Sequence, residues 1–473
     1  MSDRPDRPDR PGRSGTGGKQ RTYRRPQPDA PRRAAFDLLR AVDERDAYAN
    51  LVLPGLLRER GIEGRDAGFA TELAYGTLRG RGTYDAVLAA CVDRPLAQLD
   101  RPVLDLLRLG AHQILAMRVP VHAAVGATVE LARATVGDGR SSLVNAVLRK
   151  VSARELPAWL EAVAPSESAD PVGHLAVVHS HPRWIVEALR DSLGGSLAST
   201  AALLAADNDP AAVSLVARPG RATDDELLEA GAGPGRWSPV AARWPGGSPA
   251  QLAAVREGRA GVQDEGSQLV ALALAAAPVE GPDSAWLDLC AGPGGKAALL
   301  AGLAGQRGAH LVAAERAPHR ARLVAQALGS TAGVVVADGT AGPWRPGSFD
   351  RVLADVPCTG LGALRRRPES RWRRQPSDVA SLTRLQRALL LAAADAVRAG
   401  GLVAYATCSP HLAETWVVVG DVLRARPDLE PVDVRPYLPG VPDLGPGPFV
   451  QLWPHVHGTD AMFIALLRRI SPT

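Results

Sequence analysis

The half of the chain that begins at Val262 alternates short apolar, β-branched runs with helical runs, and this alternation limits the possible folds most strongly. Strands separated by helices predict a parallel sheet with crossover helices. In such an open sheet, ligands bind outside the carboxyl ends of the strands. We therefore expect the residues that carry the chemistry to follow predicted strand ends.

The first predicted strand, AWLDLC (285–290), leads into the glycine-rich loop GPGG and then into the helical run KAALLAGLAG. This order brings backbone amides and a helix N-terminus against a ligand. Asp288, near the end of the strand, is interpreted either as a ligand or as an organiser of the loop.

Carboxylates also end the next two predicted strands. HLVAAE ends in Glu315, where an acidic group can hydrogen-bond ribose hydroxyls, and VVVAD ends in Asp338, in position to meet an adenine edge. Together they favour a nucleoside cofactor. A nicotinamide oxidoreductase is an alternative, but GPGGK lacks the GxGxxG spacing that such an enzyme favours.

Two cysteines fall at the ends of the fourth and fifth predicted strands. Cys358 closes FDRVLADVPC, and Cys408 closes GLVAYATC before SPHLAE. A buried free cysteine is usually just a small apolar residue. Here proline or serine flanks each thiol at a turn where nothing apolar is demanded, so a chemical role is favoured.

Two neighbouring thiols suit methylation of carbon 5 of cytosine. Because that carbon is a poor nucleophile, a thiolate must first add to carbon 6, creating an enamine that can attack a methyl sulfonium. The proton on carbon 5 must then leave before the thiol is eliminated, which calls for a second base. Asp355 could hydrogen-bond the ring nitrogen and exocyclic amine of the base.

The segments DLCAGPGGK, ADVPCTGLG and ATCSPHLAE resemble the motifs of the RNA 5-cytosine methyltransferase family, and the resemblance runs from about Val262 to Arg469. It implies a Rossmann-like class I methyltransferase domain that uses S-adenosylmethionine. It also implies that Cys408 attacks carbon 6, that Cys358 assists product release, and that Asp355 lies where cofactor and base meet. The residues implied to hold the cofactor are Cys290, Ala291, Gly292, Pro293, Gly294, Gly295, Lys296, Glu315, Asp338 and Asp355. Three positions depart from the family pattern, with Gly292, Ala297 and Thr415 standing where Ala, Thr and Asn are common.

Residues 32–164 show apolar positions at three- and four-residue spacing between short Pro- or Gly-containing turns, which predicts an all-α bundle. This block resembles the NusB-like RNA-binding domain, which implies the bacterial ribosomal-RNA branch of the family and small-subunit (16S) RNA as substrate. Residues 165–261, rich in Pro, Gly and Trp, are interpreted as a small α+β adaptor. The predicted protein is multidomain, and its α/β methyltransferase domain spans residues 262–473.

Residues 1–31 are interpreted as a disordered basic tail, because Pro, Gly, Arg and polar residues cannot bury enough apolar surface to fold. The tail is either a spacer or a weak polyanion-binding arm. The sequence has no signal peptide and no long uncharged apolar stretch, so we expect a cytoplasmic protein without a membrane partner. We also expect a monomer. The four cysteines form no CxxC pair, so we expect free thiols and no metal.

The segment RRRPESRWRR (365–374) carries six arginines against one glutamate. Its place directly after the Cys358 motif favours a phosphate clamp with a stacking surface over a solvated charge run. The target cytosine must be unstacked to reach a pocket. The predicted RNA contacts are Arg365, Arg366, Arg367, Arg371, Trp372, Arg373 and Arg374. Two further alternatives are a non-catalytic RNA-binding or assembly factor with a relict methyltransferase fold, and a transfer RNA 5-cytosine methyltransferase.

Overall fold

The computed structural model describes residues 28–471. Most of the predicted tail, residues 1–31, lies outside this range. Its last two residues, Ala30 and Pro31, instead begin the first helix, so the helical block starts two residues earlier than predicted. The side chain of Asp29 accepts a hydrogen bond from the Arg32 amide at 2.8 Å, and proline is favoured in a first helical turn.

The N-terminal bundle packs around α5, the helix with the longest buried stretch, which contributes Leu106, Leu107 and Leu109 to the core. Its described residues are all-α, as the spacing of apolar residues predicted, although one of its helices contains Pro54. The helices are α1 (Ala30–Arg45), α2 (Ala49–Glu59), α3 (Gly64–Arg79), α4 (Arg81–Cys91), α5 (Arg101–Leu115), α6 (Val121–Val136), α7 (Asp138–Val151) and α8 (Leu156–Val163).

The middle of the chain has α+β architecture, as predicted. Three helices precede a small antiparallel sheet with strand order β2-β3-β1-β4. Its elements are α9 (Pro171–Val178), α10 (Arg183–Ser192), α11 (Leu197–Ala206), β1 (Val213–Ala217), α12 (Asp224–Glu229), β2 (Gly233–Pro234), β3 (Ala241–Trp244), α13 (Ala253–Arg256) and β4 (Ala260–Val262).

The C-terminal part is a Rossmann-like domain with a mixed sheet, and helices lie between most of its strands. Its elements are α14 (Glu265–Ala276), β5 (Ala285–Asp288), α15 (Gly295–Gly305), β6 (His310–Glu315), α16 (Pro318–Leu328), β7 (Gly333–Val336), β8 (Phe349–Asp355), α17 (Ser370–Arg373), α18 (Pro376–Ala396), β9 (Val397–Thr407), α19 (Trp416–Ala425), β10 (Leu429–Val432), β11 (Val450–Gln451), α20 (Pro454–His457) and β12 (Phe463–Arg469).

The strand order of this sheet is β10-β12-β9-β8-β5-β6-β7, with β11 also paired to β12. Strands β5 to β9 are mutually parallel, as predicted, whereas β12 runs antiparallel to β9. Phe463, the first residue of β12, pairs with Thr407, the last residue of β9. The chain therefore enters β12 at the edge where β9 ends and runs in the direction opposite to β9. The order reverses at β5, so the carboxyl ends of β5 and β8 form the switch point where such sheets bind ligands.

No helix among residues 28–471 combines the length and the apolar character needed to cross a membrane.

Candidate active site

A cavity of about 670 Å³ opens at the carboxyl ends of β5 to β9. It brings together most of the site residues that the sequence predicted, although they come from five separate segments. Those that line it are Cys290, Gly292, Pro293, Glu315, Asp338, Asp355, Cys358 and Cys408. Ala291 and Gly294 of the loop after β5, and Gly295 and Lys296 at the start of α15, are not among the residues that line it.

Two glycines let the loop after β5 approach its neighbours closely. Gly294 has a φ of +113°, and a Cβ there would lie 2.8 Å from the Cβ of Ala327. A Cβ on Gly292 would fall 1.9 Å from Oε2 of Glu315. In this chain, Gly292 therefore leaves room for the Glu315 carboxylate, so any larger residue would require that side chain to move.

Both predicted strand-end carboxylates reach the cavity. Glu315 is only 6% exposed, and its Oε1 accepts a hydrogen bond from the Ala317 amide at 2.9 Å. Asp338 accepts hydrogen bonds from the amide and hydroxyl of Thr340 at 3.0 and 2.7 Å. The bond from the amide lowers the pKa of Asp338 most, and the bond from the hydroxyl lowers it further. The carboxylate therefore stays ionised at neutral pH. The cavity thus has two acidic groups suited to hydroxyl or amine donors.

Asp288 is 1% exposed and does not line the cavity. Its Oδ1 accepts a hydrogen bond from the Cys290 amide at 3.3 Å, which ties the start of the loop to the strand. Burial, followed by repulsion from Asp355, raises the pKa of Asp288 to about 7. Of the two interpretations of Asp288, this placement fits the loop organiser and not the ligand.

The two strand-end thiols lie side by side, with Sγ of Cys358 3.4 Å from Sγ of Cys408. The hydrogen bond between the thiols has the largest influence on the pKa of Cys408 and lowers it. Burial and repulsion from Asp355 have smaller influences and raise it. The same bond, followed by burial, raises the pKa of Cys358 well above its usual value. Burial raises the pKa of Cys91 and Cys290 as well, so Cys408 is the one cysteine of the four with a lowered pKa. The environment therefore favours Cys408 as the thiolate.

A partly buried ion pair lies beside the thiols. Nζ of Lys296, from the first turn of α15, lies 2.8 Å from Oδ2 of Asp355 at the end of β8. Burial alone would lower the pKa of Lys296, but attraction to Asp355, Cys408 and Asp288 outweighs it and raises the pKa. The ammonium therefore stays charged and contributes to the lowered pKa of Cys408. Sequence reasoning assigned Lys296 to the cofactor loop and missed this link to the thiol.

Glu414, which is fully buried, joins the loops that carry the two thiols. Its carboxylate accepts hydrogen bonds from the Thr359 amide at 2.8 Å, from the Ser409 hydroxyl at 2.6 Å and from Gln386 Nε2 at 3.0 Å. Thr359 follows Cys358, and Ser409 follows Cys408. The carboxylate thus fixes the spacing of the thiols. Sequence reasoning missed this role, because the partners of Glu414 are up to 55 residues away.

The arginine segment does not form the continuous phosphate clamp that the sequence predicted. Arg371 is fully buried and donates to the carbonyls of Ser180 and Asp207 at 3.2 and 2.7 Å, and to that of Arg79, so its assignment as an RNA contact is wrong. Carbonyls at helix ends need donors, and Arg79 ends α3 while Asp207 caps α11. The position of Arg371 in the short helix α17 directs its guanidinium between the domains.

Other members of the segment also form contacts with residues of the same chain. Arg365 and Arg366 both form ion pairs with Asp264 and Asp460. Trp372 packs against Gly82 at the start of α4, because a Cβ on that glycine would lie 2.6 Å from the indole. Arg373 donates to the Val42 carbonyl at 3.1 Å.

Arg367 and Arg374 are the arginines of the segment that line the cavity, and for them the predicted RNA contact stays a prediction. A residue that sequence reasoning missed, Tyr48, lines the cavity beside them. Tyr48 comes from the turn between α1 and α2, more than 300 positions away, and no local pattern marks it.

Comparisons with known proteins agree with this architecture. Residues 273–468 match the family model described as 16S rRNA methyltransferase RsmB/F, and residues 29–153 match that of the NusB family. A protein of Mycobacterium tuberculosis (strain ATCC 25618 / H37Rv), whose name describes a methyltransferase without a substrate, is 56% identical over 459 residues, covering 96% of this chain and 99% of the relative. Ribosomal RNA small subunit methyltransferase B of Pseudomonas putida is 34% identical over 418 residues, covering 85% of this chain and 91% of the relative. The crystal structure of PH0851 shares the fold, with a TM-score of 0.78 and 22% identity, covering 94% of this chain and 99% of that one.

Proposed function

Because the chain belongs to the RsmB/F family of 16S rRNA methyltransferases, we propose that it converts a cytosine of small-subunit ribosomal RNA to 5-methylcytosine, with Cys408 as the nucleophile. The observation that carries this proposal is the pair of thiols 3.4 Å apart at the carboxyl ends of neighbouring parallel strands. One thiol has a lowered pKa and the other a raised one. Such a difference suits a reaction in which one thiolate forms a covalent bond to carbon 6 and the second thiol helps to break it.

The cavity fits S-adenosylmethionine as the methyl donor. Its volume lies within the range of about 300–1,000 Å³ that is usual for small-molecule sites. The segment from Cys290 to Lys296, with Glu315 and Asp338, would hold the nucleoside and amino-acid parts, since part of this segment and both carboxylates line the cavity, and carboxylates accept hydroxyl and amine donors. When bound, this cofactor supplies a methyl group on an electrophilic sulfonium.

The chain's own residues account for making the adduct. The thiolate of Cys408 adds to carbon 6, and the displaced electron pair moves through the ring to nitrogen 3, which takes up a proton from water and returns it when the thiolate is later expelled. Asp355 lines the same cavity as both thiols and is our candidate for holding that proton and the exocyclic amine. The resulting enamine makes carbon 5 nucleophilic.

Cys358 accounts for breaking the adduct. The main cause of its raised pKa is the hydrogen bond to Cys408, and that cause is removed once the Cys408 sulfur is bonded to carbon 6. Cys358 can then lose its proton to water and accept the proton that leaves carbon 5. The electron pair of the broken C–H bond re-forms the ring double bond and expels the Cys408 thiolate.

Bisulfite sequencing of ribosomal and transfer RNA from a strain lacking the gene tests this function, since 5-methylcytosine resists conversion. We expect one or more protected cytosines of 16S rRNA to become convertible, and wild-type protein but not the Cys408→Ala variant to restore protection. Loss of protection in transfer RNA instead would identify a transfer RNA enzyme. An unchanged pattern in both RNAs would contradict a methyltransferase role and favour the assembly-factor alternative.

Glu315→Ala should weaken binding of S-adenosylmethionine by about 1–3 kcal/mol, the usual cost of removing a charged hydrogen-bonding partner. The reason is the position of its buried carboxylate in the cavity wall. Calorimetry measures the dissociation constant, and Glu229→Ala, an exposed acid at the end of α12, is the matched control. Equal affinity in the wild type and Glu315→Ala would remove Glu315 from the cofactor site.

Glu414→Gln should lower kcat by about 100-fold while leaving KM for S-adenosylmethionine unchanged, because small misplacements of reacting groups cost this much. The amide nitrogen cannot accept the hydrogen bonds that Thr359 and Ser409 donate to the carboxylate. Steady-state kinetics, with alkylation of Cys408 by iodoacetamide as a second readout, measure the effect. Glu430→Gln, an exposed change on β10, is the control. A wild-type kcat in Glu414→Gln would refute the positioning role.

A further inference from the structure

Tyr48 places the N-terminal bundle in the wall of the catalytic cavity. It lies in the turn between α1 and α2, yet it lines the same cavity as Cys358 and Cys408. Its side chain is only partly covered by the described residues and remains 40% exposed. An aromatic ring that is held at a cavity and left open to solvent is available to a ligand.

The backbone on both sides of Tyr48 is tied to the catalytic domain. The Ala49 amide donates to Oε1 of Glu369, a buried carboxylate, at 3.2 Å. On the other side, Arg373 donates to the carbonyls of Val42 and Ala47. These contacts hold the turn in place, so the position of the ring does not depend on burial of the ring itself.

Two cations surround this ring. The guanidinium carbons of Arg367 and Arg373 lie 5.0 and 5.5 Å from its centroid, which is within cation–π range. Arg367 and Arg374 line the cavity as well. A partly exposed aromatic ring with arginines packed against it is an arrangement with which proteins bind single-stranded RNA, because bases stack on aromatic rings and guanidinium planes while cations meet the phosphates.

We propose that Tyr48 stacks on the base next to the target cytosine, so that the N-terminal bundle supplies part of the RNA site within the catalytic cleft. This inference rests on the proposed function. Entry of the cytosine into the cavity requires that it leave its stack, and its neighbour then loses a stacking partner. The Tyr48 ring replaces that partner, and Arg367 meets an adjoining phosphate.

Kinetics with the full-length protein test the contribution of the ring. Tyr48→Ala should raise KM for RNA roughly 5- to 100-fold, the effect of losing one stacked base, with an unchanged dissociation constant for S-adenosylmethionine. Tyr48→Phe keeps the ring and should remain close to wild type. Leu51→Ala, which alters a 72% exposed side chain on α2 outside the cavity, is the matched control and should leave KM unchanged.

A double-mutant cycle separates base stacking from a merely structural role. The substrate is an RNA fragment centred on the cytosine that the wild-type protein methylates, compared with fragments in which the base on its 5′ or 3′ side is removed. One abasic fragment should bind wild type roughly 5- to 100-fold more weakly than the intact fragment, but it should bind Tyr48→Ala as the intact one does. If Tyr48→Ala weakens binding of intact and abasic fragments equally, or if it keeps the wild-type KM, the stacking inference is overturned while the methyltransferase stands. If the wild-type protein methylates no RNA, the proposed function itself fails, and the inference fails with it.

Discussion

Cys408→Ala is expected to abolish RNA methylation, with a loss of at least about 10⁴-fold in kcat, because it removes the atom that bonds to carbon 6. Cys358 cannot replace it, since Cys358 lies at the end of a different strand, and burial still raises its pKa after the neighbouring thiol is removed. Incorporation of tritium from methyl-labelled S-adenosylmethionine measures the loss. The same variant should form no RNA complex that survives a denaturing gel.

Cys91→Ala is the matched control for this variant, because Cys91 is a buried thiol at the end of α4 and does not line the cavity. It should leave the rate of methylation within a few-fold of wild type. Methylation by Cys408→Ala at the wild-type rate would rule out the assigned nucleophile. Loss of methylation from Cys358→Ala together with activity of Cys408→Ala would exchange the two roles.

Cys358→Ala is expected to lose turnover for a different reason. Attack and methyl transfer do not require the second thiol, whereas removal of the carbon 5 proton does, so enzyme and methylated RNA should accumulate as a covalent complex. A denaturing gel with labelled RNA should show a retarded band that wild type and Cys408→Ala lack. Absence of that band, with normal turnover, would contradict the assigned role of Cys358.

The pH dependence of this complex gives a second test of the coupling between the thiols. Because the hydrogen bond from Cys358 is the main cause of the lowered pKa of Cys408, its removal should raise that pKa. At a given pH below the new pKa, a smaller fraction of Cys408 is then thiolate. The rate at which the complex forms in Cys358→Ala should therefore keep rising at pH values where wild-type attack has levelled off. A profile that levels off at the wild-type pH would show that the hydrogen bond does not set the pKa.

The sequence was sufficient to predict the groups at strand ends. Glu315, Asp338, Asp355, Cys358 and Cys408 each follow an apolar run that forms a strand of the parallel part of the sheet. Because parallel strands present their carboxyl ends at one edge, order along the chain is enough to bring these groups together. No knowledge of long-range contacts was needed for this part of the site.

The remaining features depend on partners that the local sequence does not reveal. The charge of Arg371 is visible in the sequence, but the backbone carbonyls to which it donates lie 164 to 292 residues away along the chain. Glu414 and Tyr48 were missed for the same reason. The arginine segment was therefore interpreted as a surface for RNA, whereas most of it joins the N-terminal bundle and the adaptor to the catalytic domain.

Release of tritium from carbon 5 tests the central claim most directly. The wild-type protein is incubated with S-adenosylmethionine and 16S rRNA transcribed with 5-tritiated cytidine, and tritium in water is compared with methyl groups in RNA. We predict one tritium released per methyl group incorporated, and 5-methylcytidine as the methylated nucleoside after digestion. Methyl incorporation without tritium release would place the methyl group on another atom and contradict the mechanism that assigns Cys408 and Cys358 their roles.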